Sequence, residues 1–247
     1  MYKADRILMF KKKNKITFKP LNEVAQVSVE PPSPSKMHIP DSYKILPLKL
    51  DKNLDHITPD LKKTNFSVKS CVPFLDAFTS GYMITLGSDI VATLSKEYNY
   101  RLYWDVEWEV VTTHDERQFG DMTPPIGYER SPYKFENMWV IETPPGYSCL
   151  ITHPLNRFDL PFFTMSGVVD TDKYNFLPIN LPFFLKEGFE GIIPKGTPIA
   201  QIMPFKREPW NSEKEDLNPL TKYQINNLKS VVQRSYKNRF WSKKTYE

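Results

Sequence analysis

Residues 142–207 read ETPPGYSCLITHPLNRFDLPFFTMSGVVDTDKYNFLPINLPFFLKEGFEGIIPKGTPIAQIMPFKR, and this stretch predicts a compact antiparallel β domain. Ile199 to Ile202 reads as an interior strand and Gly196 as the turn glycine before it. Asp170 and Asp172 flank a tight turn, where aspartate is favoured because it hydrogen-bonds its own backbone. The full chain of 247 residues agrees, with 22 prolines against 9 glycines. Proline breaks helices and interrupts central strands, so short strands joined by rigid loops are expected. At 40% hydrophobic and 25% charged, the composition is globular rather than disordered. A net charge of +4 does not by itself call for a nucleic-acid partner. The two cysteines, Cys71 and Cys149, are too few for a zinc cluster and read as reduced, partly buried thiols. No apolar run approaches the roughly 18 residues of a membrane span. The patch Ile7 to Phe10 precedes Lys11 to Lys13, the reverse of a secretory leader. A soluble, cytoplasmically made protein is expected.

Working outward, residues 1–70 read as an N-terminal hairpin and an extended arm. Lys15 to Lys19 and Val24 to Val29 both alternate, which predicts the hairpin. Glu30 to Lys36 is a stiff polar connector, and residues 37–70 carry no capped helix. The β domain is expected over 71–210. Strands are placed at Gly81 to Leu86, Ile90 to Leu94 and Arg101 to Thr113. In the last, Leu102, Trp104, Val106, Trp108 and Val110 share one face of a period-two pattern. Asp115 to Tyr133 is a Pro- and Gly-containing loop. Residues 211–247 end in a basic helical segment: Leu220, Tyr223, Leu228, Val231, Val232, Tyr236 and Phe240 recur at helical spacing, with seven Lys or Arg against one Glu from Thr221 onward.

Four blocks then resemble the dUTPase family in order and spacing. Thr79 to Leu86 is similar to the first block, and Pro144-Pro145-Gly146-Tyr147 to the turn leading into the second. Gly167-Val168-Val169-Asp170-Thr171-Asp172-Lys173-Tyr174 resembles the third, with one residue inserted before the tyrosine. Lys195 to Ile202 resembles the fourth. The resemblance implies a mainly β fold with a dUTPase-like antiparallel β-barrel or jelly-roll core, working as a homotrimer. It also places Asp170 where the family carries the general base that orients water at the α-phosphorus. Tyr174 resembles the ring under the nucleoside, and Gln201 the amide whose block supports a neighbouring subunit's ligand. Gly196, Lys173 and Arg157 complete the candidate ligand-binding set, with Mg²⁺ held largely by the triphosphate if the site is active. The chain also resembles a group of marine-phage proteins, so a phage source is expected.

The departures point away from catalysis. Thr152-His153-Pro154-Leu155-Asn156-Arg157 stands where the family has Arg-Ser-Gly, and Met83 where it has Asp. The basic segment replaces a glycine-rich lid, so water exclusion and γ-phosphate neutralisation lose their usual source. Arg157, Lys173 and Lys195 are the cations available nearby. His114-Asp115 lacks the second histidine of an iron site. Glu187 to Gly191 resembles a turn of the related dCTP deaminases, whose catalytic Ser-Arg segment is missing. The expectation is a non-catalytic or degenerate dUTPase-like binding or assembly module, contacting partners through the N-terminal arm or the C-terminal helix. The alternative is a magnesium-dependent nucleoside triphosphate pyrophosphatase.

Overall fold

A computed structural model describes residues 14–50, 66–94, 101–221, 223–224 and 236–247. In chain order the elements are β1 (Thr17–Pro20), α1 (Glu23–Ser28), β2 (Ser33–Pro34), α2 (Asp41–Ile45), α3 (Val72–Thr79), β3 (Tyr82–Thr85) and β4 (Ile90–Thr93). There follow β5 (Arg101–Tyr103), β6 (Val111–Thr113), β7 (Tyr133–Phe135), β8 (Trp139–Glu142), β9 (Tyr147–Thr152) and β10 (Phe162–Thr164). The last are β11 (Gly167–Val169), β12 (Leu181–Leu185), β13 (Gly191–Ile193) and β14 (Pro198–Lys206). The protein is mainly β, and every pairing among these strands is antiparallel.

The strands form four sheets, ordered β11-β9-β14-β3-β2, β10-β12-β7-β6, β13-β4-β5 and β1-β8. They do not close into a barrel, which corrects that expectation. One continuous core joins the sheets: Ile84, Ile151, Ile199 and Ile202 from the first meet Phe135, Phe162, Leu181 and Phe183 from the second. Phe135 and Phe183 stack with ring centroids 3.7 Å apart and planes 12° from parallel, and Phe162 packs edge-on against both. All three rings are fully buried, so each contributes a large apolar area to the core.

Several sequence expectations change. The segment from Val24 to Val29 is not a strand but largely helix α1, capped by Asn22 Oδ1, which accepts from Ala25 N at 2.9 Å. Ala25 and Val29, four residues apart, are buried, while Val24 and Val27 face solvent, so the helical period wins over the alternating one. Strand β1 therefore pairs with β8, not within an N-terminal hairpin. Within the stretch expected to be an extended arm, α2 and a short 3₁₀ turn at Val68–Ser70 are present while residues 51–65 lie outside the described residues, and another 3₁₀ turn spans Ser35–His38. Arg101 to Thr113 is two strands in different sheets. Its side chains from Leu102 to Glu109 nevertheless alternate between half-buried and exposed, so the period was right although the ladder is interrupted. Cys71 is exposed and Cys149 buried, both as free thiols. Most of the expected basic helix, residue 222 and residues 225–235, lies outside the described residues. Beyond it Tyr236–Phe240 is a π turn and 241–247 an irregular tail. Residues 1–13 also lie outside. Among the described residues no helix is long and apolar enough to cross a membrane.

Candidate functional site

Strand β9 lies between β11 and β14, and the candidate site forms where all three meet its first residues. β11 ends with Val169 opposite Cys149. The chain then tightens into a turn in which the amides of Lys173 and Tyr174 both donate to the Asp170 carbonyl, at 2.9 and 2.8 Å. β12, the next strand, pairs with β10 and β7, so Asp170 and Tyr174 sit on a crossover between two sheets and not on a hairpin.

The turn holds two carboxylates against one cation that the motif reading did not single out, Arg207, just past the end of β14. Its Nη1 and Nη2 donate to Asp172 Oδ1 and Oδ2 at 2.9 and 2.5 Å, a fork-to-fork pair. Gly146 N donates to Asp172 Oδ2 at 2.8 Å. Nη1 also reaches Asp170 Oδ1 at 3.2 Å, Ser148 Oγ at 2.9 Å and the Tyr147 carbonyl at 2.8 Å. Ser148 Oγ in turn donates to Asp170 Oδ1 at 2.7 Å. The Arg207 guanidinium, helped by the Gly146 amide, holds the Asp172 carboxyl down at about 2 against the opposing effect of burial. The Asp172 side chain is 6% exposed, whereas that of Asp170 is 47% exposed. Among the described residues the hydrogen bonds to the Asp170 carboxylate fall on Oδ1. The signal that could have found Arg207 is chemical: an Asp-x-Asp turn beside a strand end needs a cation.

The other candidate residues lie elsewhere. Gln201 pairs with Thr152 at the far end of the β9–β14 ladder. That is three residues, roughly 10 Å, along β9 from the level where β11 ends. It is completely buried, and its amide is consumed within the chain. Oε1 accepts from Leu155 N at 2.9 Å, and Nε2 donates to the carbonyls of Ala77 and Ser80 at 2.9 and 2.6 Å. Neither Nε2 hydrogen remains for a ligand. Arg157 pairs with Asp159 through two hydrogen bonds of 2.8 and 2.7 Å. Beside it His153 stacks on Phe163, accepts from Thr164 N and bonds the Arg157 carbonyl, and burial lowers its pKa. Lys173 is exposed; Tyr174 is 38% exposed and packs on the Phe176 ring. Gly196 sits at φ +83° in the turn before β14, as the sequence suggested. Lys195 turns away to the Ser28 carbonyl at 3.2 Å. The structure thus brings Asp170 to Arg207 and Ser148, and not to Arg157, Gln201 or Lys195.

Of two clefts in the molecule, the first borders this region and the second does not, and neither includes Asp170 in its walls. One, of about 640 Å³, lies between Tyr82, Tyr147, Pro204 and the tail residue Tyr246. The other, of about 440 Å³, borders Arg157, Lys186 and Phe189. Among the described residues no group of three or more His, Cys, Asp or Glu is placed to hold a metal ion. The two carboxylates nearest the candidate site are already engaged by Arg207. No protein-family model matches the chain, and no curated protein is similar to it.

Proposed function

We propose that this chain is a catalytically degenerate, phage-encoded member of the dUTPase-like superfamily, with a jelly-roll-type core, working in the host cytoplasm as a homotrimeric binding or assembly module. The observation that carries this reading is the clamp of Arg207 on Asp172 and Asp170. A general base must hold its carboxylate ready for a water at the reacting phosphorus. Here Oδ1 of Asp170 is already bonded to Ser148 and Arg207. The Arg207 charge, which a triphosphate could otherwise use, is spent on the chain's own carboxylates. The buried, fully bonded Gln201 and the self-paired Arg157 support the same conclusion.

One observation favours the alternative, a magnesium-dependent pyrophosphatase using Asp170: its side chain is half exposed. Incubation of the purified protein with Mg²⁺ and each deoxynucleoside triphosphate separates the two. No monophosphate and pyrophosphate should accumulate above the uncatalysed rate. Turnover that falls by ~10²-fold or more in Asp170→Asn would establish the pyrophosphatase instead.

A further inference from the structure

After β14 the chain leaves the body. Every residue from Glu208 to Leu220 is exposed. This arm is acidic, with Glu208, Glu213, Glu215 and Asp216 against Lys214. It also carries large apolar side chains in water: Trp210 is 87% exposed and Leu220 71%. An exposed tryptophan of this kind is costly to leave solvated and is enriched at the centres of protein interfaces.

The described end of the chain has the opposite character. Lys237, Arg239 and Lys243 are exposed, together with Tyr236 and Phe240. This basic, aromatic surface is held to the body. Trp241 Nε1 and Lys244 Nζ both donate to Asp76 Oδ2, at 2.9 and 2.6 Å, and Tyr246 packs edge-on against Tyr82 with centroids 6.0 Å apart. The tail is therefore presented in a fixed orientation, which lowers the ordering cost of binding. Among the described residues no ion pair engages Glu213, Glu215 or Asp216, nor Lys237, Arg239 or Lys243.

We infer that the acidic arm 208–220 of one copy docks on the basic tail 236–244 of a second copy. Both halves of the complementary pair reside on one chain and do not meet within it among the described residues. A head-to-tail contact between copies satisfies each half. Such a contact uses two different surfaces, so repetition with a suitable rotation closes a ring, which suits a trimer. The inference rests on the oligomeric reading above and specifies which surfaces would build it.

Light scattering on the full chain at about 10 µM tests this, using two triple variants in the exposed segments and their combination. One is Glu213→Lys, Glu215→Lys and Asp216→Lys; the other is Lys237→Glu, Arg239→Glu and Lys243→Glu. Circular dichroism melts confirm that each variant is folded. Each triple alone should reduce the mass to the 28.9 kDa of one chain, and the sixfold charge swap should restore the oligomer. For the wild type, dissociation should strengthen about tenfold between 0.05 and 0.5 M salt, because exposed charges are screened. If either triple leaves the mass unchanged, or the swap fails to rescue, arm-to-tail docking is wrong while the oligomer stands. A monomeric wild type overturns both.

Discussion

At the Thr152 end of the β9–β14 ladder a neutral amide, Gln201, closes the structure from inside; at the Tyr147 end a guanidinium, Arg207, closes it from the rim. Both side chains come from β14 or the residue following it, and both tie that strand to segments far away in sequence. Their environments differ. Gln201 is fully buried, so each of its three hydrogen bonds replaces one that water can no longer supply. Arg207 is about one-third exposed, so water competes for it, and its value lies in neutralising two carboxylates forced together by a turn. The lesson is that residues falling in corresponding motif positions need not form one site. One end of the ladder is packing, and the other is a charge clamp that leaves the Asp170 side chain half exposed.

The largest loss is expected at Gly81, which supports the Gln201 end. Its φ is +71°, and an added Cβ would stand 1.9 Å from the Ile202 carbonyl oxygen, a backbone atom. Gly81→Ala should cost at least about 4 kcal/mol and leave little soluble folded protein, measured by expression yield and urea unfolding. An alanine variant with an ordinary unfolding midpoint would contradict the close approach of α3's exit to β14.

Next in size, Gln201→Ala strands the Leu155 amide and two carbonyls. A loss of about 3 kcal/mol is expected from the urea midpoint, with the m-value unchanged. A loss below that of a typical surface substitution would mean the amide is not needed inside and is available to a ligand.

A smaller loss is expected for Arg207→Met, and it should depend on pH. Asp172 has its folded pKa lowered from 3.8 to about 2, so its pairing adds stability that is full above the ordinary carboxylate range. That stability disappears as pH falls through about 2. The difference in melting temperature between wild type and Arg207→Met should therefore be constant from pH 7 to 5 and shrink toward pH 2. A difference independent of pH would mean that Arg207 acts by packing alone.

The smallest effect belongs to Asp170→Asn. An amide oxygen can still accept from Ser148, and the carboxylate it replaces is half in solvent. Its melting temperature should stay within a degree or two of wild type, as for ordinary surface substitutions. A large drop would show that the turn depends on both charges.

Local rules made much of this architecture legible in the sequence alone. Short apolar runs located β3, β4 and β14, and alternation located the burial rhythm from Leu102 to Glu109, because a strand's two faces see different environments regardless of its partner. Turn chemistry located Asp170 and Gly196. What only the tertiary structure decided is long-range. Arg207 meets Asp172 across 35 residues, and Gln201 reaches Ala77 across 124. β11 and β12 part into different sheets although a turn lies between them. Short alternating segments also left helix and strand undecided at Val24 to Val29, where Asn22 and the burial of Ala25 and Val29 select the helix. Periodicity records that a residue is buried. It does not record against what: Gln201 bonds Leu155, Ala77 and Ser80, and Arg157 pairs with Asp159.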